Sequence, residues 1–130
     1  MSVRCLLDTH MVLAILRKDI HERFPIIGKL FASEDFSGFV SVASLWEIAI
    51  KFRLGKLDPG VPLEDMQDIL KSGQLAMLPI EIQHVITFVE PVPETRDPFD
   101  RLLLAQCEVE ELQLVTIDRA LASHRLAFQF

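Results

Sequence analysis

The sequence predicts an α/β fold of three layers, in which helices cover both faces of a short, mainly parallel sheet of about four to five strands. Short apolar runs alternate along the chain with amphipathic stretches of helical length, and neighbouring parallel strands need a crossover connection of that kind. The chain has 130 residues, of which 50% are hydrophobic and 25% charged, as expected for one compact core. We therefore expect a single domain over residues 1–130.

The first half of the chain contains two predicted strands, each followed by helical patterns. Residues 3–7 form a short apolar run that ends at Asp8, and such a run is typical of a buried parallel strand. Helical spacing predicts helices at 11–17 and at 26–32. A second strand is predicted at 38–42, and the helix at 44–53 ends before Gly55.

The second half continues the alternation of strands and helices. A helix is predicted at 62–71, where Pro62 suits the first helical position, and a strand follows at 75–80. The remaining predicted elements are helices at 81–89 and 102–109, a strand at 112–116, a short helix from 118 through 123 and a final edge strand at 126–130.

Composition narrows the class of protein. No apolar run approaches the ~20 residues that span a bilayer, and no signal-peptide core opens the chain, so a cytoplasmic protein without membrane contact is expected. The net charge of −6 argues against binding nucleic acid through overall basicity, although nucleic acid can still be a substrate. Cys5 and Cys107 lack metal-ligand spacing and are expected to be buried free thiols.

Four acidic residues stand where apolar stretches give way to helices: Asp8, Glu47, Asp100 and Asp118. In an open parallel sheet, residues just past the carboxyl ends of the strands share one edge. These carboxylates are therefore expected to meet in one cleft and to bind a cation. Because oxygen ligands select hard ions, and no His or Cys set has suitable spacing, Mg²⁺ or Mn²⁺ is expected rather than zinc.

Each acid also has a purely structural explanation. Asp8 and Asp118 can cap the helices that follow them, and Glu47 lies at capping-box spacing from Ser44. Asp97 is the better cap for the helix that begins at Asp97-Pro98-Phe99-Asp100, which leaves Asp100 free for chemistry. The functional interpretation therefore depends on the joint occurrence of the four acids.

Other residues near the acids are assigned smaller roles. Trp46 is expected to be a core residue, because neighbouring residues on a helix point in different directions. His10 is expected to point away from the cleft. Three basic residues flank the acids and form a secondary hypothesis for holding phosphate in register: Arg96, Arg101 and Arg119.

Four motifs carry a family resemblance: Leu6-Leu7-Asp8-Thr9-His10, the segment Ser44-Leu45-Trp46-Glu47 with Ile48-Ala49-Ile50-Lys51, Asp97-Pro98-Phe99-Asp100-Arg101-Leu102-Leu103, and Leu114-Val115-Thr116-Ile117-Asp118. Together they resemble those of PIN-domain ribonucleases, specifically VapC-like toxins, and the match runs nearly end to end. The resemblance implies a PIN-like fold and a Mg²⁺- or Mn²⁺-dependent endoribonuclease. In it, Asp8, Glu47, Asp100 and Asp118 would form the metal site, supported by Ser44 and Thr116.

The resemblance also implies partners, namely an RNA substrate, a cognate antitoxin, often of the Phd/YefM class, and a second copy in a homodimer. Other classes of protein remain as alternatives. A receiver-like phosphoacceptor domain needs a second acid beside Asp8, where Thr9 stands, and an aspartyl phosphatase needs one at His10. A non-catalytic RNA or protein interaction domain is the third alternative.

Overall fold

The structure, a computed structural model, describes residues 2–130. Its strands are β1 (Val3–Leu7), β2 (Phe36–Ser41), β3 (Ala76–Leu78) and β4 (Gln113–Val115). Its helices are α1 (Thr9–Leu16), α2 (Ile20–Arg23), α3 (Pro25–Ala32), α4 (Val42–Arg53), α5 (Met66–Ser72), α6 (Ile82–Ile86), α7 (Pro98–Glu110) and α8 (Arg119–Ala122), with a 3-10 turn at Leu63–Asp65 before α5. The short helix α2 was not predicted.

The four strands form one sheet in the order β3-β2-β1-β4, and every strand pair is parallel. Leu7, the last residue of β1, lies opposite Val40 of β2 and Val115 of β4. The carboxyl ends of these three strands are therefore in line at one edge of the sheet. This arrangement confirms the predicted α/β class and the parallel sheet of about four strands.

Alternation along β1 supplies both faces of the sheet. Cys5 and Leu7 pack into one apolar cluster and Leu6 into the other, because successive side chains of a strand point to opposite faces. Met11 of α1 and Leu70 of α5 belong to the first cluster. The second cluster contains Leu6 with buried residues of α7, β4 and α8, including Leu103, Leu104, Leu114 and Leu121. Helices on both faces give the predicted three layers.

Both cysteines are free and buried, as predicted. Burial raises the pKa of the Cys5 thiol to about 12 and also raises that of Cys107, so neither thiol is ionised at neutral pH. Within residues 2–130, no helix combines the length and the apolar character that crossing a membrane requires.

The start of α4 differs from the prediction. The N-cap is Ser41, whose hydroxyl accepts a hydrogen bond from the Ala43 amide at 3.0 Å. Strand β2 therefore leads directly into α4, and Ser44 lies inside the helix. The capping-box interpretation of Ser44 and Glu47 is wrong, because the residue that satisfies the first amides comes three positions earlier.

The predicted edge strand at 126–130 is also wrong. Only a single bridge forms there, between Ala127 and Leu114, with hydrogen bonds from the Leu114 amide to the Leu126 carbonyl and from the Phe128 amide to the Leu114 carbonyl. The chain leaves a turn in which the Ala127 amide bonds to the His124 carbonyl at 3.0 Å. Because that turn ends beside a strand of three residues, little backbone is left for further pairing.

Candidate active site

The four predicted acids lie around the carboxyl edge of the sheet. Asp8 follows β1 directly, and its backbone amide donates to the Val115 carbonyl at 3.1 Å. Asp118 follows β4 and precedes α8, while Glu47 lies on α4, the helix that follows β2 in the chain. Asp100 lies in the first turn of α7, which packs against α4. Parallel topology therefore brings together acids that are far apart in the sequence.

Asp8 and Asp118 each cap a helix. An oxygen of Asp8 accepts from the Met11 amide at 3.0 Å, and an oxygen of Asp118 accepts from the Ala120 amide at 2.9 Å. Thr116 lies between them: its hydroxyl accepts from the Asp118 amide at 3.0 Å and also hydrogen-bonds to the Asp8 side chain. Capping and a position at the edge of the sheet occur in the same residues, so the two explanations of these acids are compatible.

Glu47 is held by side chains on both of its oxygens. Oε1 accepts a hydrogen bond of 2.6 Å from the Thr9 hydroxyl, and Oε2 accepts one of 2.7 Å from the Lys51 ammonium. Ser44 Oγ lies 3.2 Å from Thr9 Oγ1, within hydrogen-bonding distance. Glu47 is buried, and a buried carboxylate requires such partners. Thr9 thus connects the Asp8 segment to α4.

Asp100 is held more loosely than Glu47. Its Oδ2 accepts a hydrogen bond of 3.2 Å from the Thr95 hydroxyl, while Asp97 takes the capping role and accepts from the Phe99 amide at 2.8 Å. The structure thus confirms that Asp97 is the cap of α7. The Asp100 carboxylate therefore does not cap the helix.

Burial and neighbouring charges raise the pKa of two of the acids, Asp100 and Asp8. Burial raises the pKa of Asp100 to about 6, helped by the charges of Asp97, Asp118 and Glu47 and opposed by the Thr95 hydrogen bond. Burial also raises the pKa of Asp8, and the charge of Asp118 adds to this effect. These interactions link the acids in the sequence Asp8–Asp118–Asp100–Glu47, which we call the acidic row.

The ammonium group of Lys51 lies beside the acidic row. The hydrogen bond to Glu47 raises the pKa of Lys51, and the charges of Glu47, Asp97 and Asp100 raise it further. Lys51 therefore stays protonated at neutral pH. Its side chain is about half exposed, at 43%, so the ammonium faces both the row and the solvent.

The donor chemistry of the acidic row fits a hard divalent ion, because every side chain of the row offers carboxylate oxygen. In residues 2–130, however, no three His, Cys, Asp or Glu side chains are close enough together to hold one metal ion. The acids of the row are therefore farther apart than the ligands of a single metal ion. These carboxylates would have to move together around an ion, in keeping with the mutual repulsion that adds to burial in raising the pKa of Asp100.

Trp46 is not a core residue, contrary to the prediction. Its side chain is 57% exposed and packs edge-to-face against Phe99, with ring centroids 5.6 Å apart and an interplanar angle of 76°. The inward positions of α4 are taken by smaller or acidic residues, including Ala43, Ser44 and Glu47. The indole is therefore on the outer side of the helix.

The flanking arginines differ in their contacts. The Arg101 guanidinium donates to the Thr95 carbonyl at 2.8 Å and to the Pro93 carbonyl at 3.4 Å, so it fastens the loop before α7. Arg96 and Arg119 are exposed. His10 is exposed beside Asp8, and its charge lowers the pKa of that carboxyl.

Three contact residues of the site were missed in the sequence: Thr9, Lys51 and Thr95. Lys51 could have been found, because it follows Glu47 by one helical turn and such pairs meet on one face. Thr9 adjoins Asp8, but nothing in its position indicates a contact with α4. Thr95 precedes Asp100 in an irregular loop, where no periodicity points to a partner.

Comparison with known families agrees with this geometry. The family model described as the PIN domain matches residues 5–126, which include all four acids and all four strands except the first residues of β1. No curated protein matches the chain. Domains of this kind are generally nucleases, which supports a hydrolase. The matched region covers most of the chain, and the protein belongs to the PIN domain family.

Proposed function

We propose that this protein is an endoribonuclease that hydrolyses RNA phosphodiester bonds with Mg²⁺ or Mn²⁺ at a site formed by Asp8, Glu47, Asp100 and Asp118. The observation that carries the proposal is the acidic row. Four carboxylates from separate parts of the chain lie at one edge of the sheet, where burial, together with the charges of neighbouring acids, raises the pKa of Asp100 to about 6. A cluster of this kind is costly unless it binds cations.

The contacts of the acids suggest different roles. Asp100 uses one carboxylate oxygen for Thr95 and Asp118 uses one for the Ala120 amide, so each has an oxygen left for a cation. Glu47 has partners on both oxygens, and its role is to close the row and to fix Lys51. The Lys51 ammonium is then in place to attract a phosphate. When bound, a divalent ion supplies charge stabilisation and a more acidic water.

In the proposed reaction, water attacks the scissile phosphate and the bond from phosphorus to the 3′-oxygen breaks, so that one product ends in a 3′-hydroxyl and the other carries a 5′-phosphate. Thr116 keeps Asp8 and Asp118 in place from one side, and Thr9 keeps Glu47 in place from the other. Rigid placement of this kind matters because the reacting groups must meet in one geometry. The row itself is negative, so the cation and Lys51 are needed to bring RNA to it.

We also propose that the protein is the toxin of a type II toxin–antitoxin pair, in a homodimer and inhibited by an antitoxin of the Phd/YefM class. The VapC-like motifs support this role. Exposed apolar side chains around α6 support a protein-binding surface: Ile82 is 79% exposed, and Val85, Ile86 and Phe88 are also exposed. Contiguous apolar surface of this kind is typical of binding sites for other proteins.

The enzymatic proposal is tested with purified protein and end-labelled single-stranded RNA in Mg²⁺, in Mn²⁺ and in EDTA. We expect cleavage with either metal and none in EDTA. Asp100→Asn should cleave at least about 100-fold more slowly, the scale of losing one group that stabilises developing charge. Asp97→Asn is the matched control, since it removes a neighbouring charge from the same helix start while the amide oxygen can still cap α7.

Two results would contradict the proposal: cleavage by folded Asp100→Asn at the wild-type rate, or wild-type cleavage in EDTA. A bound but uncut RNA would instead indicate a non-catalytic interaction domain. The toxin role is tested separately, by brief expression in cells and mapping of new RNA ends. We expect wild type to arrest growth and Asp8→Asn not to do so. Arrest with both proteins would contradict the toxin role.

A further inference from the structure

Trp46, which is exposed, and Phe99, which is partly buried, form an aromatic pair beside the acidic row. Trp46 precedes Glu47 on α4, and Phe99 precedes Asp100 on α7. The two rings meet edge-to-face, at 5.6 Å and 76°. The same two helices therefore carry two acids of the row and, one residue earlier in each case, the two aromatic rings.

The exposure of the indole is not explained by the packing of the fold. Trp46 contacts Phe99 but leaves more than half of its surface, 57%, in solvent. Because the two rings meet edge-to-face and are not stacked in parallel, the contact with Phe99 does not occupy the indole by stacking. An indole held by a neighbouring ring, and still open to solvent, is a ready surface for a flat ligand.

We propose that an unpaired RNA base stacks on Trp46 and so positions the strand for cleavage at the acidic row. The inference rests on the proposed nuclease function and adds a positioning residue to it. Single-stranded RNA is recognised largely by stacking of its splayed bases on aromatic side chains. A base on Trp46 would place the adjoining phosphates near Lys51, which bonds to Glu47 one turn further along α4.

A second copy of the chain is the less favourable occupant of this surface. A two-fold symmetric contact places the same patch of both copies face to face. Here it would bring two acidic rows together, in a chain whose net charge is already −6, and like charges would oppose the contact. RNA is negatively charged as well, but its phosphates can pair with Lys51 and with the cations that the row is proposed to hold, and its bases can stack on Trp46.

Trp46 is the only tryptophan of the chain, so its fluorescence reports on this site alone. Asp8→Asn protein in Mg²⁺ is titrated with a short single-stranded RNA, and binding is followed in parallel by the anisotropy of a label on the RNA. We expect saturable quenching of the indole emission with the same midpoint as the anisotropy. A base-free strand of equal length and a duplex should quench much less, because neither offers an unpaired base.

Variants give an independent measurement on active protein. Trp46→Leu should raise KM for single-stranded RNA about ten-fold, the scale of one base–aromatic stack, and leave kcat within about three-fold. Trp46→Phe keeps a smaller ring, and its KM should lie between the values of wild type and Trp46→Leu. Phe130→Leu is the matched control, since Phe130 is an aromatic residue of similar exposure, 54%, that packs against Phe128; it should leave both constants unchanged. Melting curves check that each variant is folded.

The outcomes separate this inference from the nuclease proposal. RNA binding without quenching, or a Trp46→Leu enzyme with wild-type KM, overturns the stacking role even if cleavage depends on Asp100 as proposed. Quenching by RNA, together with a wild-type protein that cuts no RNA in Mg²⁺ or Mn²⁺, supports stacking and refutes the nuclease. Emission that changes with protein concentration in the absence of RNA, and not with RNA, shows that a second copy covers Trp46 and overturns the proposal.

Discussion

The acidic row contains two pairs of residues that differ in how the fold holds them. Asp8 and Asp118, the capping pair, begin helices α1 and α8 and accept backbone amides. Glu47 and Asp100, the helix-face pair, lie within α4 and α7 and are held by the hydroxyls of Thr9 and Thr95. The first pair therefore has a structural role in addition to its charge, whereas the second has only its charge and its side-chain contacts.

This difference shows which substitutions can separate chemistry from stability. A capping acid satisfies amides that would otherwise lack a partner, so removing it destabilises the helix start. An acid on a helix face satisfies no amide, and in a repelling cluster its removal relieves an unfavourable interaction. Substitution in the capping pair should change two properties, and substitution of Asp100 should change one.

The largest expected effect comes from comparing Asp8→Ala with Asp100→Ala. Both should lower RNA cleavage at least about 100-fold, because each removes a charge from the acidic row. Asp8→Ala should also lower the free energy of unfolding by about 1 kcal/mol through the lost cap. Asp100→Ala should leave it unchanged or raise it at neutral pH, because the raised pKa of Asp100 shows that its charge is unfavourable in the folded state. Urea denaturation and the cleavage assay measure the two properties.

Asp8→Asn is the control for the first comparison, because its amide oxygen can still accept from the Met11 amide. It should lose cleavage and keep most of the stability. Equal losses of stability in Asp8→Ala and Asp100→Ala would show that the two pairs do not differ as described.

The second prediction concerns the contact that fixes Glu47. Thr9→Val removes the hydroxyl that donates to the buried Glu47 carboxylate at 2.6 Å and leaves that oxygen without a donor. The free energy of unfolding should fall by about 2 kcal/mol, within the range for hydrogen bonds to charged groups. Thr9→Ser keeps the hydroxyl and should lose less than half as much. If the two variants were equally stable, the hydrogen bond would contribute little.

A smaller effect is expected at Asp97, the cap next to the helix-face pair. Asp97→Ala should lower the free energy of unfolding by about 1 kcal/mol, because the Phe99 amide loses its acceptor. Asp97→Asn should cost only a few tenths of that. Thermal denaturation of the two proteins measures the difference, and an unchanged midpoint in Asp97→Ala would mean that α7 does not need this cap.

The fold could be predicted from the sequence wherever a hydrophobic run ends at a polar residue. The bounds of β1 were predicted to the residue, because its apolar run stops at Asp8. Helix α6 is shorter than predicted and ends at Ile86, where the Thr87 hydroxyl bonds back to the Gln83 carbonyl and the backbone becomes extended. Such local competition for the backbone is not visible in periodicity.

Positions in the site were easier to predict than contacts. Parallel topology alone predicts that Asp8 and Asp118 lie at one edge of the sheet. Because Asp97 is the better cap of α7, the sequence also distinguishes Asp100 from Asp97 as the acid that is free for chemistry. The exposure of Trp46 could not be predicted, because which face of α4 meets the sheet depends on the register of β2 and on packing against α7. The bond from Thr9 to Glu47 joins two helices, so no local pattern predicts it.

The protonation of Asp100 should also make the stability of the protein depend on pH. Its pKa rises from an ordinary value of 3.8 to about 6 in the folded protein. Between these values the folded state keeps a proton that the unfolded state has lost. The free energy of unfolding must therefore fall as the pH rises from about 4 to 6, and this contribution is lost above pH 6.

Denaturation of the protein in EDTA across this pH range, with wild type and Asp100→Asn, isolates the contribution. Asp8, whose pKa is also raised by burial, contributes in the same direction but is present in both proteins. The difference in unfolding free energy between wild type and variant should therefore change between pH 4 and 6 and be constant above about pH 7. A constant difference across the whole range would mean that burial and the neighbouring charges do not raise the pKa of Asp100.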